Sequence, residues 1–206
     1  MPLAFEGLSC LCQNKAMKIY LAGPDVFLPD ALEMAARKKA LCAQHGAVGV
    51  FPLDAIDDPA ADAAQERFFE IYLRNEAHIR ACDALIANLT PFRGPSADAG
   101  TVYELGFMRA LGRPVAGYTN DGRDFLARSR AFLGDGVAPR PEGGWADAEG
   151  LHLEDFGRTD NLMIDGGIQA AGGPLVVRAV PQAERWRDLA GFEACVAALM
   201  RGRLPG

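Results

Sequence analysis

The sequence lacks the features that mark membrane-spanning, secreted and metal-binding proteins. No apolar run approaches the roughly 18 residues that a membrane helix needs, and residues 1–16 contain neither the basic start nor the apolar stretch of a secretion signal. The three histidines, His45, His78 and His152, are scattered along the chain, and no G-x-G-x-x-G or Lys-Ser/Thr phosphate loop is present. We therefore expect no metal and no organic cofactor.

Positive charge is also scarce. Acidic residues outnumber basic residues by 27 to 21, so the net charge of −6 repels polyanions and anionic lipid surfaces. A nucleic-acid or membrane partner is therefore not expected, whereas a small neutral ligand needs no basic patch. The five cysteines include a C-x-C pair, Cys10 and Cys12, but no second ligand pair for zinc. An odd number of cysteines without a secretion signal favours a reducing, cytoplasmic location.

Strand-like and helix-like segments alternate along the chain. A length of 206 residues suits one α/β domain, which we place at residues 17–206 after an N-terminal extension, 1–16, that is disordered or not native. The alternation predicts a doubly wound, flavodoxin- or Rossmann-like parallel sheet flanked by helices. A strand and its turn are predicted at 18–24, and further strands at 48–53, 84–89 and from 115 to 118. Helices are predicted after Asp30, at 66–82, at 101–111 and at 182–201, with 119–160 unassigned.

Two carboxylates follow the third predicted strand. Asp98 lies in a loop at the carboxyl edge of the sheet, where open α/β folds bind ligands, and Glu104 lies in the first turns of the next helix. Such a pair suits glycosidic chemistry, in which one carboxylate attacks the anomeric carbon and the other binds a sugar hydroxyl or moves protons. The spacing alone favours the ordinary alternative, a helix cap followed by a surface glutamate.

Aromatic and acidic residues follow the first two strands at the same edge. Tyr20 and Phe27 flank Asp25, and Asp54 closes the second strand. One interpretation makes them core aromatics and turn residues. The other makes Tyr20 and Phe27 the two sides of a sandwich around a planar base, with Asp25 or Asp54 hydrogen-bonded to its edge.

Five motifs in order between residues 18 and 165 resemble the nucleoside 2-deoxyribosyltransferase family. They are K-I-Y-L-A-G-P, F-P-L-D, C-D-A-L-I-A-N-L-T-P-F-R-G-P, D-A-G-T-V-Y-E-L-G-F and D-N-L-M-I. The resemblance implies that Glu104 is the nucleophile, that Asp98 holds the deoxyribose near its 5′-hydroxyl, and that Tyr20 supports the nucleophile. Gly23 and Gly100, inside the matched motifs, are expected near the substrate.

The resemblance also implies an oligomer. The N-L-M motif of this family is lent to the active site of a neighbouring subunit, which assigns Asn161 and Met163 to substrate binding in trans. The expected partners are therefore a second copy of the chain, a 2′-deoxynucleoside and a free nucleobase.

One position departs from the family pattern. Many members have an aspartate that assists proton transfer to the base where this chain has Asn75. An amide can hydrogen-bond a base but cannot act as a general acid near neutral pH. Asn75 is therefore expected at the catalytic site with a changed role, and the proton would come from Asp25, Asp54 or water.

The expected reaction moves a 2-deoxyribosyl group between nucleobases through a covalent Glu104 intermediate, with retention of configuration. Two alternatives stay open. One is hydrolysis of a nucleoside or 5′-monophosphate, for which Ser96 and Arg93 could line a phosphate pocket although Asp98 would repel the phosphate. The other is a nucleoside-binding protein without catalysis.

Overall fold

The computed structural model describes residues 15–55 and 67–202. The predicted extension lies outside the described residues except for its last two, which precede the first strand. In chain order the strands and α-helices are β1 (Met17–Ala22), α1 (Ala31–Gln44), β2 (Ala47–Val50), α2 (Arg67–Ala81), β3 (Ala84–Asn88), α3 (Ala99–Ala110), β4 (Val115–Thr119), α4 (Phe125–Leu133), β5 (Ala138–Pro139), β6 (Trp145–Ala146), β7 (His152–Leu153), α5 (Leu162–Ala170), β8 (Leu175–Val177) and α6 (Ala190–Arg201).

Five of the strands form one parallel sheet in the order β2-β1-β3-β4-β8. This is the order of flavodoxin-like doubly wound folds, and the predicted fold class is confirmed. The direction of winding reverses between β1 and β3, so the loops after these two strands diverge and leave a crevice at the carboxyl edge. Both Tyr20 and the loop that leads to Asp98 belong to this part of the sheet.

Helices cover both faces of the sheet, and the period-2 alternation of the strands divides the core into two layers. Ile19 and Leu21 of β1 face α1 and α6. Tyr20 and Ala22, which alternate with them, face the layer built by α2, α3 and α5. Each strand residue points to the opposite face from its neighbours, which places the Tyr20 side chain on the α3 side of the sheet.

A glycine in the middle of β4 lets α5 approach the sheet closely. A Cβ at Gly117 would lie 2.8 Å from Cδ1 of Ile168 and 2.9 Å from Cδ1 of Leu89. Separations this short are not seen between real carbon atoms, so a side chain at this position would require the Ile168 and Leu89 side chains to repack.

Two predicted boundaries need correction, and the structure fills one region that the sequence left unassigned. The closing helix begins at Ala190 and not at 182, because turns fill the earlier residues and Asn120 Nδ2 donates to the carbonyls of Arg185 and Asp188. The second strand ends at Val50 rather than 53. The unassigned 119–160 region contains α4 and a small antiparallel sheet, β5-β6-β7.

The described residues were also searched for membrane and metal-binding features. No helix among residues 15–55 and 67–202 combines the length and the apolar character needed to cross a bilayer. Over the same residues, no group of three or more His, Cys, Asp or Glu side chains is placed to hold a metal ion. Cys42, Cys82 and Cys195 are buried free thiols.

Candidate active site

The centre of the site is a tyrosine–carboxylate pair that joins the sheet to α3. Tyr20, fully buried in β1, donates a hydrogen bond of 2.7 Å from its hydroxyl to Oε1 of Glu104. Hydrogen bonds between a hydroxyl and a carboxylate are short and directional. The rotamer of Glu104 is therefore fixed by a residue that is itself locked in the core.

Asp98 begins the same helix. Its Oδ2 accepts from the backbone N–H of Thr101 at 2.9 Å and from the Thr101 hydroxyl at 3.0 Å, which makes Asp98 the N-cap of α3. Gly100 is exposed in the first turn. The ordinary interpretation of Asp98 as a cap is therefore correct, and it does not conflict with a role at the substrate, because the structure assigns these two hydrogen bonds to one carboxylate oxygen.

Burial raises the pKa of Glu104 to about 7. The hydrogen bond from Tyr20 opposes this effect by stabilising the carboxylate, and the nearby negative charge of Asp98 adds to it. The pKa of Tyr20 is raised by burial and by the neighbouring Glu104, so the hydroxyl stays protonated and remains a donor. A carboxyl group with a pKa near neutrality at a strand edge is typical of functional sites.

Asp25 and Asp54 are both held by lysines. The carboxylate of Asp25 is 1% exposed and contacts Nζ of Lys38 at 2.6 Å, while Nδ2 of Asn88 donates to both of its oxygens. Oδ1 of Asp54 lies 2.5 Å from Nζ of Lys39, and its Oδ2 accepts from a backbone N–H. These contacts occupy both carboxylates, so they weigh against either one as the proton donor to a leaving base.

The proposed sandwich of Tyr20 and Phe27 is wrong. Tyr20 is buried under α3, whereas Phe27 is 55% exposed and stacks on Phe92, with ring centroids 5.2 Å apart. The period of the strand could not reveal which face Tyr20 occupies. Gly23 lies just before this loop, and a Cβ there would fall 2.4 Å from a carboxylate oxygen of Asp25, so only glycine fits.

Helix α2 brings Asn75 and its neighbours to the α3 side of the sheet. Within the described residues the buried Oδ1 of Asn75 and the Nε of Arg74 have no hydrogen-bond partner. A buried polar atom without a partner is costly, so these positions suit a ligand that supplies the missing groups. His78 is buried with its ring centroid 6.5 Å from that of Tyr20, and it contacts the carbonyl of Asp54.

Asn161 and Met163 lie at the start of α5. Asn161 caps that helix, accepting from the backbone N–H of Met163 at 3.0 Å, and Met163 is 75% exposed. Both line a mostly apolar cavity of about 750 Å³ between α3 and α5, whose lining does not include Glu104. Asn161 and Met163 therefore share this cavity with Leu105 and Val102 of α3 rather than with Glu104.

Sequence reasoning missed a second buried ion pair beside the Asp98 loop, formed by Arg128 of α4 and Asp160. Asp160 belongs to the D-N-L-M-I motif, which was one available signal. Arg128 gave no signal, because it lies in the unassigned region and its contacts are 5 to 33 residues away in sequence.

Known proteins with similar sequences agree with the geometry of the site. A family profile described as nucleoside 2-deoxyribosyltransferase matches residues 19–163, which is more than half of the chain and includes Tyr20, Asp98 and Glu104. The chain belongs to the nucleoside 2-deoxyribosyltransferase family. An uncharacterized protein of Schizosaccharomyces pombe is 36% identical over 176 residues, covering 80% of this chain and 82% of the yeast protein.

Solved structures of this family and fold agree. The 2-desoxiribosyltransferase from Leishmania mexicana is 31% identical, with a TM-score of 0.61 over 91% of this chain and 99% of the other. A conserved protein from Enterococcus faecalis V583 is 24% identical, with a TM-score of 0.53 over 92% of this chain and 99% of that one, and it supports the fold alone. Members of the nucleoside 2-deoxyribosyltransferase family act on nucleosides and nucleobases.

Proposed function

We propose that this protein transfers the 2-deoxyribosyl group between nucleobases of 2′-deoxynucleosides through a covalent intermediate on Glu104, with retention of configuration. The observation that carries the proposal is the 2.7 Å hydrogen bond from buried Tyr20 to Glu104, beside the carboxylate of Asp98. It supplies an oriented carboxylate at the crevice edge, in a chain whose family acts on nucleosides.

In the first step an oxygen of ionised Glu104 attacks C1′. The C1′–N bond breaks, its electron pair leaves with the base, and the base takes up a proton. In the second step a nitrogen of the incoming base attacks C1′, the Glu104 oxygen leaves with the bonding pair, and the new nucleoside loses a proton to solvent. Two inversions at one carbon give retention. Without a 2′-hydroxyl, the oxocarbenium-like transition state is less destabilised.

The pKa of about 7 bears on the role of Glu104 as a nucleophile. Glu104 must be ionised to attack, so the reaction requires deprotonation of a group that burial has made more basic and therefore a better nucleophile. Tyr20 stabilises the charged form and holds it in place. Asp98 would bind the 5′-hydroxyl with the oxygen that does not cap α3.

Proton delivery to the leaving base is assigned to water. Asp25 and Asp54 are held by Lys38 and Lys39, and Asn75 has no acidic proton. We propose that the unpartnered Oδ1 of Asn75 accepts a hydrogen bond from the base instead. Phe27, exposed at the rim, is available to contact the base.

The test is to incubate the protein with deoxyinosine, with and without adenine or cytosine, and to identify the products chromatographically. A new deoxynucleoside that requires the acceptor, and that Glu104→Ala does not form, is the expected result. Free hypoxanthine released at the same rate without an acceptor would instead establish a hydrolase. No turnover with deoxyinosine, thymidine or a deoxynucleoside 5′-phosphate would favour a binding protein. Mass spectrometry of the quenched enzyme should detect one deoxyribosyl group on the peptide containing Glu104.

We also propose that the active form is a homo-oligomer in which Asn161 and Met163 complete a neighbour's site. The exposure of Met163, which leaves its side chain available to a neighbouring chain, supports this arrangement. Glu104→Gln and Asn161→Ala should each be inactive alone, and mixed, re-equilibrated subunits should recover part of the activity. If each site is complete within one chain, mixing will recover none.

A further inference from the structure

One buried guanidinium ties together three loops at the carboxyl edge of the sheet. Arg128 is 1% exposed and donates from Nε to the carbonyl of Pro95 at 2.7 Å and from Nη1 to the carbonyl of Arg123 at 3.0 Å. Its Nη2 donates to the carbonyl of Thr159 and to Oδ2 of Asp160. Because the guanidinium is planar with donors in a fixed fork, it fixes these three carbonyls relative to one another.

The partner carboxylate binds the two segments that carry predicted site residues. Oδ2 of Asp160, which is 0% exposed, accepts from the backbone N–H of Ala97 at 2.9 Å. Oδ1 accepts from the Ser96 hydroxyl at 2.5 Å and from the backbone N–H of Asn161 at 2.8 Å. Asp160 therefore holds the residue immediately before Asp98 in one segment and the residue immediately after itself in the other.

Stability alone does not account for this arrangement. A buried ion pair pays a desolvation penalty that often cancels its attraction, and apolar side chains of similar volume frequently stabilise a fold as well. Charged groups add direction, because every donor and acceptor must be met at a defined angle. Ser96, which could have served a phosphate pocket, is occupied by this network.

We propose that Arg128 and Asp160 are positioning residues for the sugar end of the site. They hold the backbone of residues 95–97 so that Asp98 contacts the 5′-hydroxyl. Asp160 also fixes the position of Asn161 by accepting from its backbone N–H. The inference rests on the proposed function, specifically on the role of Asp98. Neither residue touches the reacting atoms.

The test compares two substrates in Arg128→Lys, which keeps the charge but loses the fork. One is 2′-deoxyadenosine and the other is 2′,5′-dideoxyadenosine, which offers nothing for Asp98 to hold; both are assayed with hypoxanthine as the acceptor. The kcat/KM for 2′-deoxyadenosine should fall by about 10- to 100-fold, as a displaced binding group predicts. The value for the dideoxy substrate should change far less.

Arg113→Lys is the matched control. Nη1 of Arg113 also donates to three carbonyls, those of Ile79, Arg80 and Cys82, but at the amino edge of the sheet, where β3 and β4 begin. This variant should lower the Tm and leave kcat and KM unchanged for both substrates.

Ser96→Ala provides a milder variant if Arg128→Lys folds poorly, since it removes a single donor to Asp160. It should show the same substrate preference with a loss of about 3- to 10-fold, the usual worth of one hydrogen bond. Equal losses on both substrates in Arg128→Lys, or a wild-type rate on 2′-deoxyadenosine in Ser96→Ala, would refute the positioning role while leaving the transferase intact. A wild-type enzyme that transfers neither substrate would refute the proposed function and remove the premise of this inference.

Discussion

Two glutamates in neighbouring regions of the molecule both accept hydrogen bonds from tyrosine hydroxyls, yet their pKa values shift in opposite directions. Glu104, between β1 and α3, accepts from the Tyr20 hydroxyl at 2.7 Å. Glu76, near the surface between α2 and α3, accepts from the hydroxyls of Tyr72 and Tyr103, also at 2.7 Å. Burial outweighs the tyrosine at Glu104 and raises its pKa, whereas the two tyrosine hydrogen bonds outweigh burial at Glu76 and lower its pKa.

The difference teaches that depth, and not the tyrosine, decides the protonation behaviour of each carboxyl. A hydrogen-bond donor favours the charged form of both carboxyls, but at Glu104 the larger effect of desolvation reverses the net direction of the pKa shift. Tyr103 and Glu104 are adjacent in sequence, yet Tyr103 serves the surface carboxylate and Glu104 points to the interior. Each substitution at the buried Glu104 or its tyrosine can therefore be compared with the same substitution at Glu76 or its tyrosine.

The largest expected effect is on stability in Glu104→Gln. Folded Glu104 has a pKa of about 7 against 4.5 for the unfolded chain, so the native state binds more protons between these values and stability falls as pH rises from 4.5 to 7. Glutamine keeps an acceptor for Tyr20 without the buried charge. At pH 8 the free energy of unfolding of Glu104→Gln should exceed that of the wild type by up to about 3 kcal/mol. The gain should disappear below pH 4.5.

Urea unfolding followed by circular dichroism at pH 8 and pH 4 measures this difference, at one protein concentration. Glu76→Gln is the matched variant. Because the pKa of Glu76 is lowered, its charged form contributes stability that is present at high pH and lost as pH falls, so this variant should gain nothing at pH 8. Equal behaviour of the two variants would contradict the comparison.

A smaller effect is expected in Tyr20→Phe, on the pH dependence of activity. Wild-type kcat/KM should fall below about pH 7 with the protonation of Glu104. Removing the hydrogen bond takes away stabilisation of the carboxylate, so the pKa of Glu104 should rise further. A hydrogen bond to a charged group corresponds to about 1 to 2 pH units, and the acid limb should move upward by that amount.

Steady-state kinetics between pH 5 and 9 would show the shift as a roughly 10- to 100-fold loss near pH 6, with a smaller loss at high pH. Tyr103→Phe removes a hydroxyl with the same hydrogen-bond length from the residue next to Glu104 in α3, but this hydroxyl donates to Glu76. Its acid limb should stay where the wild-type limb lies. An unmoved limb in Tyr20→Phe would mean that the group titrating near neutral pH is not Glu104.

The sequence was informative where structure depends on local pattern. Short apolar runs predicted four of the five strands of the main sheet, and the block around Asp98 and Glu104 predicted the loop–helix junction, because caps and strand edges are read from neighbouring residues. The Tyr20–Glu104 contact was expected only from the family resemblance, since it joins residues 84 positions apart.

Features fixed by long-range contacts could not be predicted. The closing helix was predicted to begin at 182 because Trp186 and Leu189 continue its apolar stripe, but Asn120 holds that segment in turns. Asp25 and Asp54 looked like free acids, and only their packing against α1 reveals the lysines that bind them. No sequence period shows which of two faces a strand residue occupies, and this is why Tyr20 was paired with Phe27.

The absence of a side chain at Gly117 has an evolutionary consequence. α5 rests on β4 through this position, and α5 begins with the segment that contains Asn161 and Met163. A single methyl group there would require the ends of the Ile168 and Leu89 side chains to shift, while Tyr20 and Glu104 lie on other elements, β1 and α3. Small-to-large exchanges at this position therefore change the packing between α5 and β4, and they give a lineage a way to alter this layer without replacing Tyr20 or Glu104.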